Sequence, residues 1–143
     1  MRIRTKMPDL TGNEMILNNE NSLQKENKVT LVYFWSMSCK QCEDSFPNLL
    51  ELLQRFSDKV TVITIHMPRI AEDHNVQAIE QQLKRLGISF PVYIDEKQRL
   101  TNLFNNRFVP AYYLFDEQKE LRFFQAGYIT KKNLQRRIER LIQ

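Results

Sequence analysis

Val29-Thr-Leu-Val-Tyr-Phe-Trp35, followed directly by Ser36-Met-Ser-Cys39-Lys-Gln-Cys42, decides the fold of this chain. The first seven residues form a nearly continuous run of β-branched, aliphatic and aromatic side chains. Such a run lacks the alternation of a half-exposed strand and reads as one covered on both faces. It ends at a cysteine pair spaced i, i+3. From Cys42 to Phe56 the apolar residues Phe46, Leu49, Leu50, Leu53 and Phe56 recur at helical spacing, with Pro47 inside, where a kink is expected. The cysteines therefore stand between the carboxyl end of a buried strand and the start of a helix, where open α/β sheets build their sites.

Working outward, Val60 to His66 is a second β-branched strand, and Val76, Ile79, Leu83 and Leu86 mark a helix that Gly87 should close as a C-cap. Pro91 to Ile94 reads as a short strand and Gln98 to Phe104 as a short helix. Ala111 to Phe115 and Leu121 to Ala126 bracket the hairpin connection Asp116-Glu117-Gln118-Lys119. Gly127 closes that segment, and Thr130 is placed to cap the last helix. Nearer the N-terminus, Met15 to Leu17 reads as an edge strand and Ser22 as the cap of a brief helix before Lys28. The order specifies an α/β sandwich with a mixed sheet, parallel in the middle and antiparallel at the hairpin.

The chain has 143 residues, 42% hydrophobic and 27% charged, with three glycines and five prolines. This is enough chain for a core, with no compositional break that would divide it, so one domain over residues 1–143 is expected. The net charge of +4 is concentrated near the end, in Lys131, Lys132, Arg136, Arg137 and Arg140. Leu134, Ile138, Leu141 and Ile142 give that helix its apolar face, so the cations read as its solvent face and neither a nucleic-acid nor a membrane partner is expected. The basic N-terminus is followed by no apolar run of signal or membrane-spanning length. Together with a Cys-x-x-Cys spacing, this points to a soluble protein of the reducing cytoplasm.

At a helix start, residues i and i+3 share a face within disulfide reach, and the free N–H groups and helix dipole favour a thiolate. Bringing a thiol pKa from about 8.5 to about 7 takes roughly 2 kcal/mol. Dipole, Lys40 and a hydrogen bond between the two sulfurs suffice for that without a dedicated base. A zinc site of Cys39, Cys42, His66 and His74 has the wrong spacing: 23 residues from Cys42 to His66 suit no usual finger. Redox chemistry with no metal is the expectation.

Trp35 ahead of Cys39-Lys40-Gln41-Cys42, Pro47 in the next helix, Val109-Pro110-Ala111 opening a strand and Gly127 after the hairpin resemble the thioredoxin superfamily. The opening Met7-Pro-Asp-Leu-Thr-Gly12 and an inserted helix and strand over about 73–94 are similar to its TlpA/ResA-like branch. His66-Met-Pro-Arg69 and Val109-Pro-Ala-Tyr-Tyr113 look like the anchor-free, intracellular members of the YkuV type. The resemblance spans essentially the whole chain. It implies a thioredoxin-like α/β/α sandwich and a thiol-disulfide oxidoreductase whose redox-active Cys39–Cys42 disulfide is its only cofactor. Cys39 is then the attacking cysteine and Cys42 the resolving one. Pro110 is implied to be a cis-proline facing the disulfide, and Val109 to offer backbone hydrogen bonds to an extended substrate. Trp35, Lys40 and Gln41 are implied to shape the site. Protein or small-molecule disulfides and an unidentified reductant protein are the implied partners of a monomer.

The chain also departs from the pattern. Tyr33 stands where thioredoxin-like members carry a buried acid, and Ser45 where ResA-like members carry a glutamate, which leaves the proton acceptor of Cys42 unassigned. Glu43, one turn beyond Cys39, and His66, at the carboxyl end of the neighbouring strand, are the two proton-transfer candidates. Two rival activities are a peroxiredoxin-like peroxidase and a non-catalytic binding module. The first needs Pro-x-x-x-Thr-x-x-Cys, and those places hold Val32 and Ser36.

Overall fold

The computed structural model describes residues 1–19 and 28–142; Ser22 and the short helix expected there lie outside the described residues. Among these residues one mixed sheet is built from β1 (Met15–Leu17), β2 (Val29–Trp35), β3 (Val60–His66), β4 (Val92–Ile94), β5 (Ala111–Phe115) and β6 (Leu121–Ala126), in spatial order β1-β4-β3-β2-β5-β6. β2 lies parallel to β3 and β3 to β4, while β1, β5 and β6 pair antiparallel with their neighbours. The helices are α1 (Lys40–Arg55), α2 (Val76–Leu86), α3 (Arg99–Phe104) and α4 (Lys131–Ile142), with a 3-10 turn at Ala71–His74 ahead of α2.

All seven residues of β2 are buried because both faces of the strand are covered. Leu31, Tyr33 and Trp35 point toward Phe46, Leu49 and Leu52 of α1, Ile79 and Leu83 of α2, and Leu134 and Ile138 of α4. Val32 and Phe34 point the other way, toward Leu100 and Phe104 of α3 and Leu10 of the N-terminal segment. The period-two alternation of a strand thus feeds two separate apolar cores, which is why the run reads as continuous in sequence.

Local chemistry sets the element ends. Gly87 caps α2 in the left-handed region with φ 72°, its N–H reaching the carbonyls of Leu83 and Lys84. The Thr130 hydroxyl accepts the Asn133 N–H at 3.1 Å at the start of α4. β4 begins at Val92, one residue later than expected, since Pro91 has no N–H to give the ladder and only its carbonyl accepts, from Thr64 N–H at 3.0 Å. Pro47 stands inside α1 on its exposed side. The N-terminal segment is fastened by a bridge from Lys6 to Glu120 and by a bidentate Arg99–Glu14 pair, both contacts at 2.7 Å.

Candidate active site

α1 begins one residue after Cys39, earlier than the apolar spacing suggests, and Cys39 is its N-cap in extended conformation, φ −98° and ψ 104°. Its Sγ accepts the backbone N–H of Cys42 at 3.1 Å. A cysteine here takes the place of the usual Ser or Asp cap, so one of the free N–H donors of the first turn, that of the third helical residue, is spent on sulfur. The two cysteines are joined as a disulfide with Cα atoms 5.2 Å apart. Cys39 keeps 6% of its surface in solvent and Cys42 none. Of the two residues only Cys39 retains any contact with solvent.

The loop that delivers Cys39 is tied residue by residue to the end of β3 and to the 3-10 turn that follows it. Trp35 and His66 are register partners, and the Trp35 carbonyl accepts the Met67 N–H at 2.7 Å. The buried Ser36 hydroxyl donates to the Met67 carbonyl. Met37 N–H donates to Nε2 of His66 at 2.9 Å. Ser38 donates its N–H (2.9 Å) and its hydroxyl (2.8 Å) to the two carboxylate oxygens of Asp73.

Asp73 is 1% exposed, an acid the sequence reading passed over except as the border of an insertion. It also accepts the N–H groups of Arg69 (2.8 Å) and Ile70 (3.3 Å). Burial pushes its pKa up, but the donors from Arg69, Ser38 and Ile70 outweigh this and hold it below the ordinary value. Arg69 is exposed, and its guanidinium donates to the Ser38 hydroxyl oxygen at 3.0 Å. No spacing rule points to this cluster, because Ser38 and Asp73 lie 35 residues apart. Only the β3 run, ending beside the cysteine loop, hints that the residues after it would meet the site.

The expected site residues fall into distinct places. Trp35 is fully buried, edge-on to Phe46 and His66 with centroids 5.1 and 4.8 Å away, so it shapes the site from beneath and presents no surface to a substrate. Its indole N–H donates to Thr64 at 3.3 Å. Lys40 turns along α1 to Glu43 (3.4 Å) and Asp44 (3.3 Å), and Gln41 is exposed beside it. Glu43 is drawn to Arg85 of α2 at 2.7 Å, which together with Lys40 lowers its pKa and makes it a weaker base. His66 is buried, and that burial drives its pKa down to about 4. Its Nε2 is an acceptor, so Nδ1 carries the proton, and Nδ1 is buried without a partner among the described residues.

The Val109–Pro110 peptide is cis. Phe34 is the register partner of Ala111, so continuing the antiparallel ladder sets Pro110 opposite Trp35, at the same edge of the sheet as the cysteines. Tyr33 donates its hydroxyl to the Cys42 carbonyl at 3.0 Å, and burial raises its pKa far above ordinary, so this position holds a neutral donor in place of an acid. Ser45 donates to the Gln41 carbonyl at 2.9 Å. His74 ends the 3-10 turn, exposed and paired with Glu96 at 2.8 Å.

Comparison with known proteins agrees with this geometry. The AhpC/TSA family model matches residues 3–124. The chain is 37% identical over 144 residues to Thiol-disulfide oxidoreductase YkuV of Bacillus subtilis (strain 168), covering 99% of this chain and 97% of that protein. It is 25% identical over 136 residues to Thiol-disulfide oxidoreductase ResA of Geobacillus kaustophilus (strain HTA426), covering 93% of this chain and 71% of that one. The solution structure of a thioredoxin-like protein in the oxidized form superposes with a TM-score of 0.89 at 37% identity, covering 99% of this chain and 97% of that chain. With a cysteine pair at disulfide distance on this fold, the chain belongs to the AhpC/TSA family of thioredoxin-like proteins, as one of its thiol-disulfide oxidoreductases.

Proposed function

We propose that this oxidoreductase reduces or exchanges protein or small-molecule disulfides in the cytoplasm, as a monomer, with Cys39 attacking and Cys42 resolving. The carrying observation is the asymmetry of the pair: Cys39 caps the helix and keeps an accessible edge, while Cys42 is sealed. In the reduced protein the Cys39 thiolate attacks one sulfur of the substrate, forming a mixed disulfide and expelling the first substrate thiolate. Cys42, once deprotonated, attacks Cys39 Sγ, closes the Cys39–Cys42 bond and releases the second. The substrate gains two electrons and the two protons that the cysteines give up.

No metal or bound organic cofactor enters these steps, and a reductant protein, as yet unidentified, would return the pair to the dithiol. An antioxidant role follows if the pair keeps cytoplasmic thiols reduced. Val109 and cis-Pro110 would receive an extended substrate segment by backbone hydrogen bonding. No nucleic acid or membrane is required, and among the described residues no helix is long and apolar enough to cross a membrane.

A peroxidase reading is less well supported, because Val32 faces a core and the Ser36 hydroxyl is already given to Met67. Insulin reduction with dithiothreitol, run with and without hydrogen peroxide, separates the two. Catalysed insulin precipitation without peroxide consumption is expected. Peroxide turnover with no insulin reduction would replace the proposal with the peroxidase, and neither activity would leave a binding module.

A further inference from the structure

We propose that Arg69 is a specificity-determining residue, held beside Cys39 by Ser38 and Asp73 to receive a carboxylate of the disulfide substrate. This deepens the exchange reading above and rests on it.

The other cations near the start of α1 are already compensated. Lys40 lies 3.4 Å from Glu43 and 3.3 Å from Asp44, and Arg85 lies 2.7 Å from Glu43. Among the described residues the Arg69 guanidinium has no carboxylate partner, and its one hydrogen bond is to the Ser38 hydroxyl oxygen. Ser38 immediately precedes Cys39, so the guanidinium is bonded to the residue next in sequence to the attacking cysteine.

This position is built, because both ends of Arg69 are fixed by one buried group. Its backbone N–H donates to Asp73 at 2.8 Å. Its guanidinium tip donates to Ser38, whose own hydroxyl hydrogen goes to the same carboxylate. A long, flexible cation is thereby ordered before substrate arrives, which removes part of the entropic cost that makes most exposed ion pairs weak. A guanidinium has five N–H donors in a planar fork, and one is in use. The remaining donors suit a carboxylate taken in bidentate fashion. The substrate class is therefore a disulfide with a carboxylate a few bonds from sulfur, whether an acidic small molecule or a cystine flanked by acidic residues.

The test compares kcat/KM for three small disulfides of opposite character: anionic dithiodipropionate, neutral hydroxyethyl disulfide and cationic cystamine. Two peptide disulfides differing only in Asp or Asn beside cysteine distinguish a peptide source from a small-molecule one. For the native protein at low salt the anionic-to-neutral ratio should exceed unity by about three- to tenfold and shrink in 0.5 M salt. The ratio should fall to about one in Arg69→Gln, invert toward cystamine in Arg69→Glu, and recover partly in Arg69→Lys. Any general loss from disturbing the loop cancels in the ratio. Asp73→Asn, which frees Ser38 and Arg69 together, should lower the ratio without inverting it. An unchanged ratio in both Arg69→Gln and Arg69→Glu overturns the assignment while leaving disulfide exchange intact. Failure of the native protein to reduce any of the five disulfides would remove the exchange reading, and this inference with it.

Discussion

Met37 gives its backbone N–H to Nε2 of His66 at 2.9 Å, so the loop carrying Cys39 rests on an imidazole that must stay neutral. Protonating Nε2 would set two donors against each other in a site with 1% exposure. Burial, offset only in part by the Asp73 charge, lowers the His66 pKa to about 4 and so favours the same neutral form.

The first prediction is a loss of stability on mild acidification. The unfolded chain binds a proton at this imidazole near pH 6.5, whereas the folded chain resists until about 4. Between those values the unfolded state holds more protons, so stability is fully present above pH 6.5 and declines as pH falls toward 4. The span corresponds to about 3 kcal/mol. Urea midpoints from pH 7.5 to 4.5 should show the decline, and His66→Gln, which keeps an acceptor but cannot titrate, should flatten it. Parallel curves for the two proteins would assign the effect elsewhere.

Asp73→Asn tests the second support of the loop. The carboxylate accepts from Ser38 twice, from Arg69 and from Ile70; an amide turns one oxygen into a donor that faces donors. A loss of about 1–3 kcal/mol is expected in denaturant unfolding. Disulfide exchange should slow more than the stability change alone explains when assayed where the variant is fully folded. A variant as stable and as fast as the native chain would show the cluster to be incidental.

How much of this was legible follows from the range of each interaction. Val29–Trp35 and Val60–His66 were readable to the residue because β-branching and burial act locally and continuously. Gly87 and Thr130 were readable because a cap is a relation within one turn. Cys39 and Cys42 were readable for the same reason. Lys40 and Glu43 show the limit: their helical spacing places them near Cys39, but Arg85, 42 residues beyond Glu43, takes the carboxylate, and Asp44 shares Lys40. Asp73 was illegible for a similar reason. In sequence it is one acid in a polar stretch, and only the parallel pairing of β2 with β3 brings the segment after His66 beneath Ser38.

Tyr33→Phe is the third prediction. The hydroxyl spans from β2 to the Cys42 carbonyl at 3.0 Å, and burial keeps it protonated at any working pH, so it holds α1 in place and takes no proton. Removing it should cost about 0.5–1.5 kcal/mol in unfolding experiments. The pH profile of disulfide exchange should keep its shape, since no titrating group has been lost. A shifted profile would instead make Tyr33 part of the proton path to Cys42.

The last prediction separates the two sulfurs. Cys39 caps α1, where its Sγ accepts the Cys42 N–H at 3.1 Å, and the residue retains 6% of its surface in solvent. The same donor that caps the helix with a disulfide sulfur would stabilise a thiolate there after reduction. Cys42 lies one turn inward with no exposed surface, backed by the core that holds Phe46 and Tyr33, where a charged sulfur loses its hydration. Cys39→Ser should therefore abolish exchange and form no adduct with a model disulfide. Cys42→Ser should attack once and stall, leaving a mixed disulfide on Cys39 that a thiol reductant releases. Intact-mass spectrometry before and after reduction reads both outcomes directly. An adduct on Cys42 in the Cys39→Ser protein, or full turnover by either single variant, would mean that burial does not set the order of attack.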